Sequence, residues 1–342
     1  MKSNYRYIVK AFMAMAVIAG TTSCDDFLDR EPMSSISPET YYSTAAQLEA
    51  NLNDEYPNVL PSFGQWTYGI FGEDKGTDNQ IEVNANDRYT QDRWKVPHSE
   101  SDNWKFERIY RINFFLSEAL PKFGEDMSGS QNTISGSVAT IKHYIGEMYF
   151  LRAYEYFKKL QLFGDFPIIN QPLADEMEAL REASKRFPRN EVARFIISDL
   201  DKAYAYMSDV DMATTRINKD AAMLVKSRVA LFEATWLQNF KGTAFVPGGE
   251  GWPGASLHNN YQYPSGNLDN EVKYFLEQAV EASKLVADKY KGNLTENTGV
   301  LQQSADDPSN PYFDMFAQED LSDVKEVLLS LIHISEPTRL GM

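Results

Sequence analysis

The segment 136–163, "GSVATIKHYIGEMYFLRAYEYFKKLQLF", restricts the fold of this chain more than any other stretch. It reads as one long helix, yet its apolar and aromatic residues are spread over several sides rather than one stripe. A helix of that kind has no face suited to water and must be covered by neighbours on more than one side. Its end is also written in the sequence. Gly164 supplies a stop, and Pro167 in "GDFPII" prevents continuation.

Candidate neighbours are numerous. "STAAQLEANLNDEYP" carries Thr44 and Gln47 at capping-box spacing, with a stop expected at Pro57. The segment 102–123 places Ile109, Ile112, Leu116 and Leu120 on one helical face. Two later segments open alike, "NEVARFIISDLDKAYAYM" at 190 and "NEVKYFLEQAVEASKLVADKY" at 270. Asn190 and Asn270 are the expected N-caps, each with an acidic residue in the first turn. Val192, Phe195, Leu200, Ala203 and Met207 form the first stripe; Val272, Phe275, Ala279, Ala282 and Val286 form the second. Between them, 218–240 carries Ala221, Ala222 and Ala230, which permit close helix approach. Strand signals are few. The expected class is mainly α, a TPR-like helical repeat scaffold with long irregular loops. One such loop, 58–103, is rich in Gly, Asn and Asp. The other, 241–269, exceeds a normal helix connection and holds Trp252, Tyr261 and Tyr263, so function is expected there rather than simple disorder.

Charge and cysteine usage remove several classes of function. The formal net charge of −16 argues against a nucleic-acid partner, since phosphates would be repelled. A single cysteine in 342 residues excludes an intramolecular disulfide framework and a Cys/His zinc spacing. That cysteine, Cys24, follows a cationic stretch (Lys2, Arg6, Lys10) and the short apolar run "AFMAMAVIAG", the pattern of an export signal over 1–23. Thr22 and Ser23 are small, as a lipobox requires, although Thr21 stands where leucine is preferred. Cys24 is therefore the expected lipidation site, and 24–43 a polar tether.

Several blocks, taken in order, resemble the SusD/RagB family of outer-membrane nutrient-binding lipoproteins. They are "CDDFLDREP" (24–32), the group Trp104, Tyr110, Ile112 and Asn113, "GEMYFLRAYEYFKKLQLFGDFPII" (146–169), "RINKDAAMLVKSRVALFEA" (216–234) and "YFDMFAQEDLSDVKEVLL" (312–329). The resemblance implies a TPR-like scaffold over 44–329, lipid-anchored at the cell surface. It also implies that the protein binds glycans and passes them to a SusC-like TonB-dependent transporter, with no cofactor and no catalysis. Asp25-Asp26 resembles the signal that moves such lipoproteins to the outer face. The tail 330–342, "SLIHISEPTRLGM", departs from the family pattern and resembles adapter read-through, so a truncated reading frame is expected.

Glycans are held by stacking C–H faces on aromatic rings, with polar side chains bonding the hydroxyls. On that chemistry the candidate contacts are Trp94 with Arg88 and Asp92, then Trp66, then Trp252, Tyr261 and Tyr263, with Asp74 and Asp78 as hydroxyl partners. Trp104 and Trp236, placed on helical stripes, are expected in the core. His143 and Glu147 lie one helical turn apart, a spacing open to a metal, but a lone pair on a packed helix is more often structural, and no metal is expected. Two other readings stay open: a TPR-like surface scaffold binding a protein partner without sugar, and a glycoside hydrolase. The second lacks support from any G-x-S-x-G, P-loop or H-E-x-x-H motif.

Overall fold

A computed structural model of the chain describes residues 41–61, 103–124, 126–208, 215–301, 304, 306–316, 318 and 321–329. The chain divides into two units, Met1–Tyr42 and Ser43–Met342, and all described α-helices belong to the second, together with a 3-10 turn at Pro253–Ser256. The α-helices are α1 (Ala45–Val59), α2 (Glu107–Phe123), α3 (Val138–Phe163), α4 (Met177–Ala183), α5 (Arg189–Tyr206), α6 (Lys219–Asn239), α7 (Leu268–Tyr290) and α8 (Pro311–Phe316). Two isolated β-bridges, and no strand, occur among the described residues. The class is mainly α, as expected.

α3 is the central element. Seventeen of its 26 residues are buried, and it packs against α1, α2, α5 and α6. Ser137 caps its start and Gly164, at φ +68°, its end. From α3 outward the helices follow chain order, α3 on α5, α5 on α6 and α6 on α7. That succession is the TPR-like stacking the repeated helix pairs foretold.

Arg–carboxylate forks with fully buried carboxylates join these layers. Arg152 of α3 grips both oxygens of Asp199 on α5, at 2.6 and 2.9 Å, and also donates to Asn113 of α2. Arg189 of α5 holds Glu233 of α6, and Arg194 of α5 holds Glu271 of α7. Arg216 holds Glu147 of α3, whose Oε2 also accepts from Tyr56 of α1. Pairing of this quality is what makes so many charges tolerable in the interior.

Three boundaries differ from the sequence expectation. Thr44 and Gln47 do form a capping box, but α1 runs through Pro57 to Val59. The lost backbone bond falls in the last turn, where burial of Tyr56 and Val59 outweighs it. α5 begins at Arg189, so Asn190 lies inside it rather than at its cap; α7 is capped by Asn267, whose side chain accepts from Asn270 N–H. Trp104 precedes α2 instead of riding on it, half-buried against Phe106, Phe163 and Phe166.

Candidate functional site

The end of α3, the start of α5, the last turn of α6 and the loop 240–267 converge on one cleft. The residue that assembles them is Asp165, directly after the Gly164 stop. Its Oδ1 accepts the Arg189 N–H at 2.9 Å, capping α5 from outside that helix. Its Oδ2 accepts the indole N–H of Trp252 at 2.7 Å, which pins the loop. Burial pushes the Asp165 carboxyl above its ordinary range, and these donors offset part of that rise. Beside it, Phe166 and Phe187 exchange backbone hydrogen bonds at 3.2 and 3.0 Å, which closes the α4 excursion.

The loop is ordered by its own turns and by side-chain ties. A Cβ at Gly249 would stand 1.9 Å from the Thr243 carbonyl oxygen, so the chain folds back on itself there only with glycine. Tyr263 donates to Pro247 O at 2.6 Å. The Tyr261 hydroxyl lies 2.9–3.1 Å from the amide group of Asn190. Glu271 accepts from Arg194, Asn190 and the Ser265 N–H. Burial works to raise the Glu271 pKa, yet these donors hold it below the ordinary 4.5. His258 stacks on Trp252 and contacts the Arg186 carbonyl through Nε2 at 2.8 Å.

The cleft so formed encloses about 620 Å³, within the roughly 300–1,000 Å³ usual for ligand pockets. Its lining is mainly apolar: Trp236 from α6 and Phe245 and Leu257 from the loop face Leu162 and Phe163 at the end of α3. Phe245 is 61% exposed and Leu257 54%. Trp236 is held in place by its indole N–H, which donates to Phe245 O, and by the Arg189 guanidinium, 4.1 Å from its ring centroid. Gln161, Asp165 and Arg186 bring polar groups to the same walls. Two smaller recesses, about 330 and 250 Å³, lie beside Tyr274 and beside Tyr110.

The three rings expected in the loop are thus brought together, Trp252 on Tyr261 and Tyr261 on Tyr263. They differ in role. Trp252, 5% exposed, is a wall of the cleft and an anchor of the loop, while Tyr261 and Tyr263 spend their hydroxyls on fixing it. Trp236, expected in the core, is half-buried and lines the cleft. Sequence reasoning missed Asp165, Arg186 and Phe245. Phe245 had a legible signal, a ring in an already suspected loop; Asp165 and Arg186 had only local turn chemistry. Cys24, Trp66, Asp74, Asp78, Arg88, Asp92 and Trp94 lie outside the described residues. His143 and Glu147 are committed to protein partners. Their side chains lie 3.0 Å apart, Nδ1 of His143 accepts the Ser208 N–H, and Nε2 faces Ile217 O. No group of three metal-binding side chains occurs among the described residues, and no described helix is long and apolar enough to cross a membrane.

A family model described as SusD-like, starch-binding associating with outer membrane, matches residues 26–231. A SusD-like protein of Formosa agariphila is 25% identical over 233 residues, which cover 63% of this chain and 41% of the relative. A second from the same organism is 25% identical over 253 residues, covering 70% and 46%. The chain spans less than half the length of these curated relatives. A solved SusD-like carbohydrate-binding protein of Bacteroides fragilis aligns at 15% identity with a TM-score of 0.44, over 76% of this chain and 43% of that one.

Proposed function

The chain belongs to the SusD-like family, and from that membership we propose a cell-surface lipoprotein that binds oligosaccharides and delivers them to a SusC-like TonB-dependent outer-membrane transporter. The observation that carries the glycan-binding half is the cleft, where Trp236 and Phe245 stand beside Gln161. Partly exposed rings offer stacking surfaces for sugar C–H faces, and an amide can both donate to and accept from hydroxyls. Trp94 with Arg88 and Asp92, and Trp66 with Asp74 and Asp78, are proposed as further contacts, and Trp252, Tyr261 and Tyr263 as the frame that holds the cleft open. Its task is capture, not catalysis.

The delivery half rests on two features. Cys24, after the apolar run, supplies the acyl anchor that would hold the soluble body at the outer membrane. The helical stack also carries exposed apolar side chains, Leu224 and Leu231 on α6 and Leu276 and Val280 on α7, suited to a protein partner.

Calorimetry against a polysaccharide panel tests the reading. Trp236→Ala and Trp94→Ala are each expected to weaken glycan binding roughly 2- to 10-fold, the worth of one stacking ring, with helical circular dichroism unchanged. Unchanged affinity removes that ring from the site. If no glycan binds while the transporter still co-purifies, only a protein-binding scaffold remains.

A further inference from the structure

We infer that the cleft selects an anionic saccharide, one bearing a carboxylate or a sulfate ester, and that Arg186 recognises the charge; the inference rests on the glycan-binding reading above. Three charged side chains line the cleft: Asp165, Arg186 and Arg189. Two of them are already satisfied. Arg189 is buried, and its guanidinium forks onto Glu233 at 2.9–3.2 Å. Asp165 has both oxygens occupied, by the Arg189 N–H and the Trp252 indole. The Arg189 charge is thus paired with Glu233, and each Asp165 oxygen is already engaged by a donor of the protein itself.

Arg186 differs. Its side chain is exposed and pairs with no carboxylate among the described residues. The cations on flanking segments are paired: Lys185 with Glu182, Lys241 with Asp269, Arg194 with Glu271. The chain carries a net charge of −16, yet among the described residues no carboxylate pairs with this guanidinium at the rim of the aromatic cleft. It is also held in place. Its Cζ lies 4.6 Å from the Trp104 ring centroid, and its carbonyl meets His258 Nε2. Stacking on the ring occupies a face of the guanidinium, and no side-chain hydrogen bond from its N–H edge is made to a described residue, so that edge can meet an acceptor.

That edge matches the two oxygens of a carboxylate or sulfate, which accept a fork of parallel hydrogen bonds. Sugar hydroxyls cannot supply the opposite charge. Acidic side chains elsewhere on the surface would repel a long polyanion, but at physiological salt such repulsion is screened beyond about 8 Å. The local cation therefore governs binding of a short acidic oligosaccharide.

The test is calorimetry on the full chain with three probes of equal length: an oligogalacturonide, a sulfated carrageenan oligosaccharide and a neutral laminari-oligosaccharide. At least one acidic probe is expected to bind roughly tenfold tighter than the neutral one, as fits a charge-assisted fork, and added salt should erode that margin. The stronger acidic arm identifies the group as uronate or sulfate. R186Q should collapse the acid-to-neutral ratio towards one, and R186K, which keeps the charge and loses the fork, should restore part of it. Equal binding of all three probes, or a preference that survives R186Q, overturns the inference while leaving glycan capture standing. Failure to bind any saccharide removes the capture reading as well.

Discussion

Asp165 shows how much one side chain can decide. It joins the end of α3, the first turn of α5 and the loop through two hydrogen bonds. Replacement by alanine leaves the Trp252 indole N–H and the Arg189 N–H without acceptors in a largely desolvated position. Asp165→Ala should therefore cost about 1–3 kcal/mol, read by urea denaturation. A red-shifted tryptophan emission should accompany it as Trp252 meets water, and unchanged emission would mean that another contact holds the loop. Residue-scale signals differ in legibility according to how local they are. The Thr44–Gln47 box and the Gly164 stop were readable because each depends on neighbours within a few positions. Asn190 misled because its helix is capped by Asp165, across the α4 excursion, which frees its own amide for Glu271 and Tyr261.

At the scale of elements, the helices were legible and their fastenings were not. Stripes such as Val192, Leu200 and Ala203 are buried as their spacing requires. Nothing in that spacing says which carboxylate a given arginine will meet. The α5–α6 contact turns on Arg189 and Glu233, and burial pushes the Glu233 carboxyl upward against the pull of its arginine. Glu233→Ala strands a buried guanidinium and should destabilise by about 3–5 kcal/mol. Replacing both partners with apolar residues, Arg189→Met with Glu233→Leu, should cost far less, because no charge is then left buried. A double-mutant cycle from urea midpoints gives the comparison; additive losses would show that the pair is not coupled.

For the whole molecule, the consequence is a dependence on pH. Glu271 ties the loop to α5 and α7, and its folded pKa lies below the ordinary 4.5. Its contribution is complete above the unfolded value and is lost as pH falls through the depressed folded one. Wild type and Glu271→Gln should therefore differ most in urea midpoint at neutral pH and converge well below pH 4.5. A gap that persists in acid would place the stabilisation elsewhere. Glu233 and Asp165, both raised, act in the opposite sense, which is why the variant comparison and not the wild-type curve isolates Glu271. The sequence alone determined the helical class, the central place of α3 and the suspicion attached to 241–269. Those follow from hydrophobic periodicity and turn chemistry, which act between residues near in the chain. The cleft was decided by tertiary structure alone: Asp165, Arg186, Trp236 and Phe245 come from separate elements, and only packing of the helical layers brings them to one wall. Periodicity says which face of a helix is buried, but the partner of each charge depends on distances that exist only once the helices have stacked.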